Sequence, residues 1–352
     1  MNAPFALAGE RVRLVDLREP DEAARIEAYV AEMGGSAFQR PAWLAAVERG
    51  TGQGALGLVA EKQGVLCGWL PLTELHSPIF GRALVSSGFA VGGGILAMRK
   101  ATREALAKAA EELASRLSCP TIELRGGMLP SGWPVRRDSH CGFSADLEAD
   151  DDAQLLAIPR KQRAEVRKGL KAELTVHIGT GERDRREHFA VYAQSVRNLG
   201  TPVFPRGLFD AVLERLDADI LTIRHEGQAV ASVLSLYHDG AVLPYWGGGT
   251  LAARHLRAND RMYFELMRHA RARGIARFDF GRSKTGSGAW HFKKNWGFEP
   301  QPLSYASWTA PGAAPRDADP TSSRHAARIA LWSQLPLAIA NRLGPFIARG
   351  LG

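Results

Sequence analysis

Cysteine is scarce in this chain. Only Cys67, Cys119 and Cys141 occur among 352 residues, an odd number at wide spacing. That excludes a disulfide framework and a zinc-type ligand spacing, and fits a reduced, cytosolic chain with no metal site. No apolar run approaches the ~20 residues that a membrane-spanning helix needs. The opening stretch, Met1 to Leu17, lacks the basic-then-apolar layout of a signal peptide. There is no sustained heptad run, which excludes a long coiled coil. A hydrophobic content of 45% with 23% charged residues excludes disorder and collagen. At roughly 100–200 residues per domain, the length predicts two domains.

Charge is present and unevenly placed. Lys and Arg number 45 against 37 Asp and Glu, a formal net of +8. Residues 1–150 hold 16 basic and 18 acidic side chains, a net of −2. Residues 151–310 hold 24 and 17, a net of +7, and residues 311–352 hold 5 and 2, a net of +3. The second half and the tail therefore favour anionic partners such as phosphates, nucleic acid or acidic lipid.

The chain also repeats itself. Residues 92–99 read Gly-Gly-Gly-Ile-Leu-Ala-Met-Arg, and residues 247–254 read Gly-Gly-Gly-Thr-Leu-Ala-Ala-Arg. Each copy follows a strand-like stretch, Arg82 to Val91 and Ala241 to Trp246. Each leads into a helix-like segment, Thr102 to Leu117 and Asp260 to Arg273. Each then enters a short strand with a central acid, Ile122-Glu123-Leu124 and Phe278-Asp279-Phe280. A hairpin precedes each, Leu58 to Leu75 around Gly64 and Ile220 to Tyr237 around Gly227. The reading is a duplicated mixed α/β domain. The expected ranges are 1–150 and 151–310, a Pro/Ala/Asp/Ser-rich linker over 311–323, and an amphipathic tail over 324–352. An antiparallel set of strands, a helix and a parallel strand is the order of the GNAT acyltransferase fold, so the fold class expected is α/β with tandem GNAT-like domains.

The segment Phe278 to Pro300 reads FDFGRSKTGSGAWHFKKNWGFEP. Its acid-bearing strand, Gly-rich loop, Phe292-Lys293 pair and Gly297-Phe298 pair resemble the Fem-type transferases. These are tandem GNAT-fold enzymes that extend peptidoglycan bridges from aminoacyl-tRNA. Ser36 to Glu48 and the Arg-rich segment Pro159 to Lys171 are similar to further elements of that family, so the resemblance spans roughly residues 35–308. It is nearest to the branch associated with exosortase/PEP-CTERM systems and exopolysaccharide functions. The resemblance implies an N-acyltransferase with no bound cofactor. Its donor would be an aminoacyl-tRNA or an acyl thioester (CoA or acyl carrier protein), and its acceptor an amine on an anionic or lipid-linked envelope precursor.

The residues can also be read as chemistry. Acyl transfer to an amine requires deprotonation of the ammonium, stabilisation of an oxyanion and a hold on the donor's phosphates. Lys293, expected on a strand or loop beside Phe292, is a cation suited to the oxyanion, a role that the resemblance also implies; the alternative is a surface lysine in a basic pair. Asp279 lies between two Phe residues on a strand, so alternation sends it to the opposite face. It is a candidate proton acceptor, or an ion-pair partner of Arg282 or Lys284. His291, beside Phe292 and Lys293, is the neighbouring group that titrates near neutrality; a structural histidine is the other reading. The loop Gly281 to Gly288 contains Arg282 and Lys284 among three glycines and three hydroxyls. It suits a phosphate or is a flexible bulge, but lacks the Walker order. Arg160, Arg163, Arg167 and Lys171 recur at spacings of 3, 4 and 4, one helix face, with Lys168 beside them. Such a face suits a pyrophosphate or an RNA backbone, or is simply solvated. The resemblance implies that Arg163 or Arg167 contacts the acceptor diphosphate and that Tyr245 lines the acceptor cleft; Tyr245 reads equally as core.

Ordinary acetyl-CoA enzymes of this fold carry a Gly-containing loop before the central helix, where its N-terminus holds the CoA pyrophosphate. The corresponding stretches here, Arg254 to Arg261 and Arg99 to Glu104, contain no glycine. Asp260 reads as an N-cap whose charge disfavours a phosphate. These features weigh against CoA in either domain and leave tRNA, acyl carrier protein or a degenerate CoA site. The tail places Ile329, Trp332, Leu335, Ile339, Leu343, Phe346 and Ile347 at helical spacing with arginines between, and with breaks expected near Pro336 and Pro345. It reads as a membrane-surface helix, peripheral at the inner membrane, or as an arm packed on its own domain or a partner.

Overall fold

The computed structural model describes residues 9–314, 316 and 326–352. Two compact units emerge. One comprises Met1–Arg136, Ser304–Asp317 and Gly350–Gly352, the other Arg137–Leu303 and Ala318–Arg349. Most of the expected linker, residue 315 and residues 317–323, lies outside the described residues.

Each unit starts its main sheet from the same local signal. In the first, strands Gly54–Lys62 and Val65–Ser77 form a hairpin. Gln63 and Gly64 turn it with φ of 53° and 80°. In the second, Ala218–His225 and Gln228–His238 pair through Glu226 and Gly227, with φ of 49° and 76°. Two consecutive left-handed residues match the twist of a tight hairpin, and glycine makes the second one inexpensive.

The two units share a pairing sequence over six strands. In the first, Arg11–Leu14, Gly54–Lys62, Val65–Ser77 and Gly81–Ser86 are antiparallel neighbours; Thr121–Arg125 then joins in parallel, and Tyr305–Thr309 follows antiparallel, with the short Val135–Arg136 at the edge beyond it. In the second, Thr175–Gly179, Ala218–His225, Gln228–His238 and Ala241–Gly249 are antiparallel; Arg277–Asp279 joins in parallel, and Ser144–Asp146 closes antiparallel. Each parallel step is bridged by a long helix, Lys100–Arg116 in one unit and Ala258–Ala272 in the other.

The closing strands explain why the units divide elsewhere than at residues 150/151. Tyr305–Thr309 follows the second repeat in the chain yet completes the first sheet. Ser144–Asp146 precedes the second repeat and completes the second sheet. A small sheet in the second unit sets His140–Gly142 between Ser283–Lys284 and Gln301–Pro302.

The two triple glycines meet different local demands. Gly94 sits in a loop where any Cβ would collide with the Gly126 carbonyl, whereas Gly247–Gly249 end a strand against Ser195 and Asn259. The first core gathers Leu70, Leu72, Leu84, Leu106, Ile122 and Ala306; the second gathers Leu221, Val233, Phe264, Leu266 and Phe278.

The tail forms two helices, Ala326–Gln334 and Leu337–Ala348. The expected break at Pro336 is present. The one expected at Pro345 is not, because Pro345 lies within the last turns of the second helix. Among the described residues no helix is long and apolar enough to cross a membrane.

Candidate active site

The site is set by how two parallel strands part. Ala241–Gly249 and Arg277–Asp279 pair only through Ala241 with Arg277 and Val242 with Phe278. Beyond that point the longer strand continues to Gly249 along its antiparallel partner alone. It also bulges, because Leu234 faces Trp246 while Ser235 faces Pro244. Tyr245 is thus the extra residue of a β-bulge, half-buried, with its ring edge-on to Trp246 at 4.8 Å.

Asp279 is the last residue of the short strand. Its neighbours Phe278 and Phe280 are buried, with rings 4.9 Å apart, and it faces away from them, as alternation requires. Its carboxylate accepts the Gly281 N–H at 2.8 Å. Burial pushes its pKa above the usual carboxylate range, opposed by that hydrogen bond and by the charges of Lys293 and Arg277.

Lys293 does not lie on a strand or loop. Gly288–Asn295 is a helix, started by the Ser287 hydroxyl accepting the Trp290 N–H at 3.2 Å. Helical geometry decides what the lysine meets. It is 9% exposed, and its ammonium donates to the carbonyls of Gly281 and Arg282 at 3.2 and 2.9 Å. The rings of Phe143 and Phe280 lie 5.4 and 5.7 Å from Nζ. Burial pulls its pKa down to about 8, helped by Arg282 and opposed by Asp279.

The same helix separates the other residues of the segment. His291 is exposed, edge-on to Trp290, on a different side from Lys293; on a strand the two would have shared a face. Phe292 packs inward, its ring 5.7 Å from Tyr263 and 6.2 Å from Phe280, so it joins the aromatic core. The Gly-rich loop is less open than its composition suggests. Ser283–Lys284 pair with Cys141 and His140, and the Thr285 N–H donates to the Ser139 carbonyl at 3.0 Å. Arg282 and Lys284 are both half-buried.

The corresponding acid of the first unit, Glu123, is in a different state. The buried Arg125, two residues on, donates to it at 2.6 Å. In the second unit the residue two beyond the acid is Gly281, which offers only a backbone N–H.

Arg160–Lys171 is helical, as the spacing predicts. Arg160, Arg163, Ala164, Arg167, Lys168 and Lys171 line an open groove of about 480 Å³. Arg163 donates to the carbonyls of Leu156 and Ile158, each at 3.1 Å, and Lys168 pairs with Glu165 at 2.7 Å. Arg160, Arg167 and Lys171 are exposed. The start of this helix meets the end of the lysine-bearing one. A Cβ on Gly297, whose φ is +92°, would lie 3.0 Å from Pro159 Cδ.

Residues 160–294, which include the basic helix, Asp279 and Lys293, match the family described as an acetyltransferase (GNAT) domain. Among solved structures, FemX matches with a TM-score of 0.61 at 14% identity, covering 84% of this chain and 96% of its own. A tandem GNAT protein from the clavulanic acid biosynthesis pathway gives 0.56 at 15% identity, covering 88% and 100%. The C-terminal domain of a putative lysylphosphatidylglycerol synthetase from Agrobacterium fabrum gives 0.54 at 13%, covering 82% and 91%. The fold is a tandem GNAT fold. No curated protein sequence matches the chain.

In both GNAT units a carboxylate sits at the start of the central helix, where a GNAT enzyme that uses CoA holds its pyrophosphate. In the first, the Glu10 carboxylate accepts from the Thr102 hydroxyl at 2.8 Å and pairs with Arg99 ahead of Lys100–Arg116. In the second, the helix begins at Ala258 behind Arg257, so Asp260 is not the N-cap but lies in the first turn. It accepts from Gln162 of the basic helix at 2.5 Å, while Glu165 of that helix pairs with Arg257. Gly169 allows the contact, since a Cβ there would lie 2.8 Å from the Arg257 carbonyl oxygen.

Sequence reasoning missed Glu10, Glu165 and Phe143 as members of these sites. Gly169, a glycine inside a charged helix, was the available signal for the helix–helix contact. Glu10 and Phe143 carry no local signal, because their partners lie about 90 and 150 residues away in sequence.

Proposed function

We propose that the second unit is an N-acyltransferase that moves an aminoacyl or acyl group onto an amine of an anionic, envelope-type precursor. The observation that carries this reading is Asp279. It is a half-buried carboxylate of raised pKa, placed where the two parallel strands diverge, and among the described residues its hydrogen-bond donor is the Gly281 N–H rather than a guanidinium. The amine nitrogen attacks the acyl carbonyl, and a C–N bond forms as the C–O bond of an ester donor, or the C–S bond of a thioester, breaks. The proton released from the amine goes to Asp279 and onward to the leaving oxygen or sulfur. Lys293 spends two of its three N–H donors on the loop carbonyls and keeps one, with its positive charge, for the oxyanion. Arg160, Arg167 and Lys171 hold acceptor phosphates along the groove.

Acyl-CoA is the usual donor of the fold. The carboxylates at both central helix starts favour instead a donor whose phosphates need not sit there: aminoacyl-tRNA or acyl carrier protein. The Fem-like resemblance favours aminoacyl-tRNA, and its exosortase-associated branch favours an exopolysaccharide or peptidoglycan precursor at the cytoplasmic face of the inner membrane. The same filled helix starts favour a second reading, a non-catalytic GNAT-fold factor in envelope assembly. Purified chain given charged tRNA, acyl-CoA and acyl carrier protein in turn, with amine acceptors read by mass spectrometry, separates them. Transfer lost in Lys293→Ala supports the enzyme. No transfer from any donor, together with a Lys293→Ala strain that keeps cellular function, supports the factor.

A further inference from the structure

The helix Leu337–Ala348 is amphipathic the wrong way round for a helix that serves only its own unit. Its buried positions are Ala340, Gly344 and Ala348, small residues repeating every four. They seat it against the second unit, where a Cβ on Gly344 would lie 3.0 Å from the Val203 nitrogen. The preceding helix is held there too, with Arg197 donating to the Ser333 carbonyl at 2.9 Å. Leu337 and Ile347 are half-buried, but three large apolar side chains point the other way. Ile339, Leu343 and Phe346 are 46, 46 and 63% exposed, and Leu331 of the preceding helix is 66% exposed. Spacings of 4 and 3 put Ile339, Leu343 and Phe346 on one stripe. A helix evolved only to pack would bury those side chains and expose the small ones.

The rim of the stripe is cationic. Arg342 is exposed one helical turn from both Ile339 and Phe346, and the Arg349 guanidinium lies 5.5 Å from the Phe346 ring centre. No Asp or Glu occurs from residue 320 to the last residue, 352. A second copy of the chain is a poor occupant, because a two-fold contact would bring arginine rims together with no acid on the tail to answer them. We propose that this face docks on an anionic lipid bilayer. The helix lies in the headgroup plane, Ile339, Leu343 and Phe346 enter the acyl boundary, and the exposed Arg342 meets lipid phosphates.

Vesicle flotation of the full chain tests this, and it needs neither donor nor acceptor, so it stands apart from the transferase reading. With phosphatidylcholine vesicles containing about a third phosphatidylglycerol, the chain should float, and with pure phosphatidylcholine it should bind at least about tenfold less. Leu343→Asp should cut binding to the anionic vesicles by about tenfold or more. Its thermal midpoint should fall only slightly, since the side chain is 46% exposed. Arg342→Glu, which keeps the apolar stripe whole, should weaken binding to anionic vesicles alone. The proposal is overturned if the chain does not bind anionic vesicles, or if both variants bind like wild type. It is also overturned if sedimentation shows a concentration-dependent dimer that Leu343→Asp abolishes, which would assign the face to a second copy.

Discussion

Burying Lys293 has a measurable effect on stability. Its folded pKa is about 8 against 10.5 for a free lysine, and the side chain is 9% exposed. Each pKa unit corresponds to about 1.4 kcal/mol, so keeping the charged form in the fold costs on the order of 3 kcal/mol. The folded chain releases this proton at lower pH than the unfolded chain does. Between about pH 8 and 10.5 the unfolded state therefore binds more protons, and stability rises with pH. Integrated from pH 7 to 9.5, the gain is about 2 kcal/mol. Buried tyrosines work in the opposite direction above pH 10; Tyr263, for one, is held up to about 12 by burial. The clean quantity is therefore the difference between wild type and Lys293→Met, in which other groups cancel. Urea unfolding of both at pH 7 and 9.5 should show wild type gaining about 2 kcal/mol on the variant. Parallel pH profiles would refute the placement of Lys293 as a buried cation.

Other consequences are as specific. Arg167→Glu should raise KM for an anionic acceptor about tenfold while changing kcat little, and the wild-type KM should climb steeply with salt. His188, fully buried with Nδ1 3.0 Å from the Ser232 hydroxyl, has its pKa pulled down to about 3 by burial. It stays neutral in the fold while the unfolded chain takes up a proton below about pH 6.5, so stability falls with acid. His188→Phe should remove about 2 kcal/mol of the loss between pH 6.5 and 5, read by unfolding at the two pH values. Calorimetric titration with CoA at about millimolar concentration should give no saturable heat, since carboxylates stand where its pyrophosphate would bind; a submillimolar dissociation constant would show that those carboxylates do not block the helix starts.

What was legible in the sequence was local. The hairpins around Gly64 and Gly227, the central helices, the acid-bearing strands and the cationic face from Arg160 all rest on contacts within a few residues. The closing strands were not legible, because Ser144–Asp146 and Tyr305–Thr309 are short and find partners more than a hundred residues away. The helix bearing Lys293 was hidden by Gly286 and Gly288, which read as loop. Its signal was Ser287, a capping residue three before Trp290. That one error misplaced His291 and Phe292, since a strand and a helix send neighbouring side chains to different faces. In the tail, helical spacing identified the apolar residues, but only the fold separates the exposed Ile339, Leu343 and Phe346 from the small residues that pack and from the half-buried Trp332, Leu335 and Ile347.

The central claim is that the second GNAT unit does proton chemistry at Asp279 while the equivalent acid of the first, held by Arg125, does not. Its most direct test is the rate of acyl transfer to an amine acceptor by Asp279→Asn and Glu123→Gln beside wild type, with folding of each verified by thermal midpoint. The kcat of Asp279→Asn should fall about a hundredfold or more, and that of Glu123→Gln should change little. Equal losses in the two variants, or an Asp279→Asn enzyme as fast as wild type, would contradict it.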